Sequence, residues 1–438
     1  MSLLKAVRGT RDLLPPETEL WNHVELVARQ VFARYGFGEI RTPLFEATEL
    51  FARGVGEETD IVSKEMYTWE DRARAQSEKA QSLTLRPENT AGVVRAYIEH
   101  RMDQTGTLQK LFYIGPQFRR ERPQRGRYRQ FWQIGAEVLG PQSSGAESPV
   151  RDAEVLEMLA SLLDELGVKG WRLEVNSVGS STDRPRYVEA LRAALIPVKE
   201  RMCEDNQRRA ETNPLRVLDS KAPEDQELIN SLPKIADYLD EASKEHFAQV
   251  LKALDACGLK YHVNPRLVRG LDYYTRTTFE FTVPASDQAG GGLGAQNALL
   301  GGGRYDGLSE MLGGPKAPGI GFAIGEDRLI LTMQAQAQEA RETKLDLYVA
   351  PVGIEQNAAA LKLARELRRA GLAVEVGDGS FRLKKSFDAA EKRARAIVIA
   401  GEDEVASGLW TVKVFASGEQ TKLATSELVT LSARLSLR

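Results

Sequence analysis

Residues 110–140, KLFYIGPQFRRERPQRGRYRQFWQIGAEVLG, constrain the fold more than any other stretch of this chain. Two runs rich in Phe, Tyr, Trp and Ile flank a polar, arginine-laden segment. That pattern predicts a long hairpin in a mixed or antiparallel sheet. Between Phe118 and Gln130 stand six arginines, a single glutamate and no lysine. A solvated basic loop uses lysine and arginine interchangeably. Arginine alone points to planar, bidentate recognition of phosphate or carboxylate. Cations anchored at both ends on a sheet call for an anionic partner.

The rest of the 438 residues exceed one ordinary domain. Apolar residues at helical spacing (Leu20, Val24, Val27, Val31) predict a helix over 17–35, and a second helix fits 151–166. Strand-like pieces recur at SLTLRPE (82–88), WRLEVNSVG (171–179) and KYHVNPRLV (260–268). In RGLDYYTRTTFEF (269–281) the second half is β-branched and aromatic, whereas the first half gathers an arginine, an aspartate and two tyrosines at the strand's mouth. AGGGLG (289–294) and GGGRYDG (301–307) are expected to be glycine-rich turns, and PGIGFAIGEDRLILTM (318–333) a strand running into a helix. The expected organisation is a first domain made of 1–180 and 257–333, interrupted by a helical insertion at 181–256. A linker at 334–343 and a small α/β domain at 344–438 follow, the last from its β/α alternation.

Several function classes drop out. There is no GxxxxGK[ST] loop and no dinucleotide-binding glycine spacing after a strand. The four histidines are scattered and there are two cysteines, which leaves no zinc ligand set, disulfide framework or nucleophile–base pair. No run has the length of a membrane span, and MSLLKAVRGTRD does not read as a secretory signal, so the cytoplasm is the expected compartment. A net charge of −3 does not argue against a nucleic-acid partner, because phosphate contacts depend on where cations cluster.

YIGPQFRRERPQRGRYRQFWQIGAEVLG resembles motif 2 of the class II aminoacyl-tRNA synthetases, in the form found in the histidyl-tRNA synthetase family. RGLDYYTRTTFEF and GGGRYDGL resemble that family's two histidine-specific signatures. PGIGFAIGEDRLIL resembles motif 3, YGFGEIRTPLFE motif 1, and TLRPENTAG (84–92) the amino-acid-binding loop. The resemblance spans nearly the whole chain. It implies an α+β catalytic core, an antiparallel sheet flanked by helices, with a helical insertion and a C-terminal α/β anticodon-binding domain. It also implies a homodimer built partly through motif 1.

The implied activity is ligation of L-histidine to tRNA(His) by way of histidyl-adenylate, with ATP and Mg²⁺, without zinc or an organic cofactor and without a protein metal ligand that can be named. By resemblance, Arg269 and Arg119 are catalytic and flank the α-phosphate. Histidine falls to Glu88, Asn89, Thr90, Gln133, Glu137, Tyr273, Tyr274 and Tyr305 together with those arginines. ATP falls to Arg119, Glu121, Arg127, Phe131 and Arg328, and the tRNA acceptor end to Arg122 and Gln124. Asn89 stands where the family usually has glycine, and asparagine tolerates positive φ better than most residues. The regulatory subunit of ATP phosphoribosyltransferase resembles such a core, but it usually lacks the anticodon domain and positions such as those of Arg269 and Glu121.

Overall fold

The computed structural model describes residues 3–56, 59–71, 80–268, 271, 273–284, 298–336 and 344–436. They belong to two compact units, Met1–Ala340 and Arg341–Arg438. In the first, the strands in chain order are β1 (Gly38–Glu39), β2 (Phe45–Ala47), β3 (Tyr67–Asp71), β4 (Gln81–Leu85), β5 (Gln109–Phe118), β6 (Gln130–Leu139), β7 (Arg172–Ser177), β8 (Tyr261–Val263), β9 (Thr275–Thr282), β10 (Ala298–Arg304) and β11 (Gly319–Gly325).

β5 and β6 form the expected hairpin, in register from Gln109 opposite Leu139 to Phe118 opposite Gln130. It seeds an eight-stranded sheet of order β1-β5-β6-β11-β10-β9-β7-β8. The six inner strands are antiparallel, and short β1 and β8 join parallel at the two edges. β2, β4 and β3 make a separate three-stranded sheet.

One face of the large sheet is covered by the helices Glu17–Arg34 and Pro149–Glu165. The apolar stripe of the first (Leu20, Val24, Val27, Val31) is buried, with Trp21, Ala28 and Phe32 widening it. Phe32 packs against Phe112 and Phe322, so a helix face meets the alternate residues of two strands. From Asp183 to Ala256 the chain is helical, and its last helix, Glu241–Ala256, packs on Pro149–Glu165.

The run Gly301–Gly303 is not the expected turn: it lies inside β10, paired on both sides. Glycine disfavours strands for want of a side chain to pack, and here that want is useful, as the site shows. KYHVNPRLV contracts to the three residues of β8, and in the 269–281 stretch the strand begins only at Thr275. AGGGLG falls outside the described residues, as does the linker beyond Gln336.

The second unit carries β12 (Leu345–Pro351), β13 (Val374–Val376), β14 (Ala394–Ala400), β15 (Leu409–Val414) and β16 (Gln420–Ala424) in the order β13-β12-β14-β15-β16. The first three are parallel through crossover helices Asn357–Arg369 and Leu383–Arg393, and the last two turn back antiparallel. That closing hairpin is absent from the sequence reading. β16 is an exposed, polar edge strand without apolar alternation.

One buried group yields a stability prediction. Glu326, first residue of the helix Glu326–Ala335, is completely buried and neither carboxyl oxygen has a partner among the described residues. Burial, then the neighbouring carboxylates of Glu25 and Asp327, push its pKa well above the usual glutamate value. A raised folded-state pKa gives stability that is full below the unfolded value near 4.5 and is lost as pH climbs towards the folded one. Glu326→Leu is therefore expected to stabilise the fold by about 1–3 kcal/mol. The gain in melting temperature should widen between pH 6 and pH 9; a constant gain would show that the carboxyl is already ionised throughout.

Candidate active site

On the face of the large sheet away from helix Glu17–Arg34 the middle is nearly bare of side chains, which leaves room for a cavity. Strand registers place Gly135, Ala323 and Gly301 side by side across β6, β11 and β10, with Gly321 and Gly303 in the next row. Around this floor the functional side chains stand as a wall.

One end is a closed hydrogen-bonded cluster. Thr90 Oγ1 donates to Glu137 Oε1 at 2.7 Å, and Tyr305 donates to Glu137 Oε2 at 2.6 Å. Glu137 is completely buried, and burial pushes its carboxyl up to about 8 against the help of those two donors. Gly321 opposes it directly in the sheet, and a Cβ there would lie 1.7 Å from Glu137 Oε2, so only glycine leaves room for the carboxylate. Glu88 accepts the backbone N–H groups of Thr90 and Ala91 (2.8 and 3.0 Å), capping the helix Thr90–Glu99. Its pKa is likewise raised by burial. Tyr273 and Tyr274 pack as rings 4.7 Å apart, Tyr273 edge-on to Tyr305. Tyr305 is held by its neighbour: Arg304, wholly buried, bonds Asp152, Asp306 and the Ala146 carbonyl, and Asp152 also meets His246.

The other end is cationic. Arg119 Nε donates to the Pro87 carbonyl at 2.9 Å, and its guanidinium lies 5.2 Å from the Phe131 ring centroid. Arg127 pairs with Glu121 at 3.3 Å. Arg328, from the helix after β11, reaches back towards the hairpin turn; burial and then the repulsion of Arg127 lower its pKa. Three guanidiniums set into one wall of the cavity form a preorganised anion site.

Of the residues singled out by sequence, Glu88, Thr90, Arg119, Glu121, Arg127, Phe131, Gln133, Tyr273, Tyr274, Tyr305 and Arg328 line this one cavity. Glu137 lies just beneath it, sealed by Gly321 and Tyr305. Arg269 and Asp272 lie outside the described residues. Asn89 is a correction. It does not line the cavity, its φ is −119°, and its side-chain amide oxygen Oδ1 accepts from Thr42 and Arg86, so it holds the loop together and needs no positive φ. Arg122 and Gln124 are exposed in the hairpin turn, outside the cavity. Tyr113, Tyr128, Glu280 and Asp327 line it too and were missed. Strand alternation was signal enough for two of them. Tyr113 stands opposite Gly135, and Glu280 alternates with the core residues Phe279 and Phe281. Among the described residues no group of three or more His, Cys, Asp or Glu is placed to hold a metal ion, and no helix is long and apolar enough to cross a membrane.

Comparison with known proteins gives the family. Residues 9–329 match the family model described as histidyl-tRNA synthetase, and 346–434 that of an anticodon binding domain. The chain is 69% identical to the histidine–tRNA ligase of Koribacter versatilis (strain Ellin345), over 97% of this chain and 95% of that protein. Against the histidine–tRNA ligase of Solibacter usitatus (strain Ellin6076) identity is 54%, covering 97% and 98%. The apo histidyl-tRNA synthetase of S. aureus superposes with a TM-score of 0.78 at 36% identity, over 98% of this chain and 99% of that one.

Proposed function

The chain belongs to the histidyl-tRNA synthetase family and charges tRNA with histidine, and from that premise we propose which of its residues do so. The reading rests on one observation: a buried, hydrogen-bonded carboxyl cluster at one end of a cavity whose other end is lined by arginines.

Histidine sits with its imidazole over the Glu137–Tyr305 pair. A pocket that hydrogen-bonds both ring nitrogens rejects apolar side chains of like size, because they leave its own buried groups unpaired. Glu88, Thr90 and Gln133 take the α-ammonium, for which a carboxylate and neutral acceptors are apt. ATP arrives with Mg²⁺ as its counter-ion and lies along the arginine end, its adenine on Phe131 against Glu121 and its outer phosphates towards Arg127 and Arg328. The histidine carboxylate attacks the α-phosphorus and pyrophosphate leaves. Two anions must meet, so the chain's contribution is fixed positive charge, from Arg119 on one side and Arg269 on the other. In the transfer step a terminal ribose hydroxyl of tRNA attacks the histidyl carbonyl carbon of the adenylate, the acyl–phosphate bond breaks and AMP leaves. A phosphate oxygen of the adenylate is the better proton acceptor, since both Glu88 oxygens already receive backbone N–H groups.

The tRNA meets the hairpin turn at Arg122 and Gln124, and the second unit takes the anticodon stem. There FRLKKSFDAAEKRARA supplies a basic helix face, with Lys385 only 3.6 Å from the Phe381 ring centroid. A homodimer through motif 1 is supported by the exposed pair Phe45 and Trp69, packed edge to face with centroids 6.0 Å apart on the small sheet beside exposed Leu44. The cytoplasm is the compartment in which such a chain meets its tRNA.

Histidine-dependent ATP–pyrophosphate exchange, run without tRNA across all twenty amino acids, tests the assignment: only histidine should support it. A chain ending at Gln338 should lose tRNA charging far more than exchange. Equal losses in both reactions would refute the anticodon role of the second unit.

A further inference from the structure

The wall of the arginine end is fastened from an unexpected place, the segment before the first helix. Arg11 donates from Nη1 to Glu17 at 2.7 Å and from Nη2 to Asp327 Oδ1 at 3.1 Å. Its guanidinium carbon stands 4.8 Å from the ring centroid of Tyr128 and 5.8 Å from that of Trp21. Tyr128 belongs to the hairpin and Asp327 precedes Arg328, and both line the cavity. The other oxygen of Asp327 accepts the backbone N–H of Trp132 in β6 at 3.2 Å. One guanidinium thus joins three pieces: the N-terminal segment, the hairpin and the helix that carries Arg328.

The same segment grips the hairpin again two residues earlier. The backbone N–H of Arg129 donates to the Gly9 carbonyl at 2.7 Å, and Arg129 Nη1 donates to the Arg8 carbonyl at 3.1 Å. Gly9 has φ +90°, and a Cβ there would lie 2.8 Å from both Pro123 and the Arg129 stem, so the strap lies flat on the hairpin because the residue is glycine. A loop bearing six arginines and one glutamate repels itself. Carbonyl acceptors hold it without neutralising the charge that the site needs.

We propose that residues 8–11 form a strap that sets the geometry of the arginine end, with Arg11 as a positioning residue for the substrate bound there. This rests on the reading above that the arginine end takes ATP. None of the contacts of Arg11 is to Glu88, Thr90, Glu137 or Tyr305, so the histidine end is independent of it.

The test is exchange kinetics on the full-length protein with Arg11→Ala, Arg11→Lys, Gly9→Ala, Glu17→Gln and Arg328→Ala, each checked for its melting temperature. Arg11→Ala is expected to raise KM for ATP roughly tenfold, the equivalent of one charge-assisted hydrogen bond, with KM for histidine unchanged. Arg11→Lys, which keeps the charge but not the fork, should fall between, and Gly9→Ala should shift KM for ATP the same way with Arg11 intact. Glu17→Gln should shift neither. Arg328→Ala reports which substrate the arginine end binds. If it weakens histidine rather than ATP, the assignment of that end fails, while the strap stands provided Arg11→Ala weakens the same substrate and spares the other. If Arg11→Ala raises both KM values together or neither, or if Glu17→Gln reproduces it, the strap is overturned.

Discussion

Arg119→Ala is expected to slow histidine-dependent ATP–pyrophosphate exchange by about 10²–10³-fold, the usual cost of removing one preorganised charged donor from a transition state. Arg119 earns that figure by its support. It follows β5 directly, and its backbone N–H donates to the Arg129 carbonyl across the hairpin at 2.9 Å. Its Nε is committed to the Pro87 carbonyl, and the guanidinium plane is backed by Phe131. The charge therefore waits in place, and no reorganisation is needed when negative charge moves from the α-phosphate to the leaving pyrophosphate. Arg119→Lys should recover little, because an ammonium cannot hold the Pro87 carbonyl and an oxyanion in one plane. A loss of less than tenfold, or one that appears only in KM for histidine, would remove Arg119 from the reacting centre. Arg269→Ala should cause a loss of the same order if the two guanidiniums act as a pair.

Gly321→Ala is expected to lower kcat/KM for histidine by about 10²-fold or more while leaving KM for ATP nearly as it was. The added methyl would be centred 1.7 Å from Glu137 Oε2, and it projects from the middle of a central strand, where the backbone cannot retreat. Glu137 must swing away. Its bonds to Thr90 and Tyr305 then break, and with them the arrangement that addresses the imidazole. Gly38→Ala is the matched control, because a Cβ there meets nothing within 4 Å. Normal histidine affinity in a folded Gly321→Ala protein would mean that Glu137 does not face the substrate.

The glycine run of β10 explains why part of the site was legible from sequence and part was not. GGGRYDG stood out in composition, yet its strand conformation did not, since glycine propensity argues for turns and the neighbours that override it are far away in sequence. Tyr305 and Glu137, whose hydrogen bond closes the histidine end, lie 168 positions apart. Arg11 and Asp327, which close the other end, lie 316 apart. No local pattern announces either pair. Asn89 erred in the opposite direction: a departure from the family's usual glycine suggested unusual backbone, whereas the structure gives it an ordinary φ and a role in holding Thr42 and Arg86.

Local chemistry was enough to determine the hairpin, its exclusive use of arginine, the buried stripe of Glu17–Arg34 and the β/α alternation after residue 344, because strand and helix periods are written residue by residue. Only the folded chain decided which side chains meet. Registers between strands distant in sequence follow from how two faces of one sheet pack, and it is there that absent Cβ atoms opened a floor, a buried carboxyl found its two donors, and an N-terminal arginine came to brace the far wall.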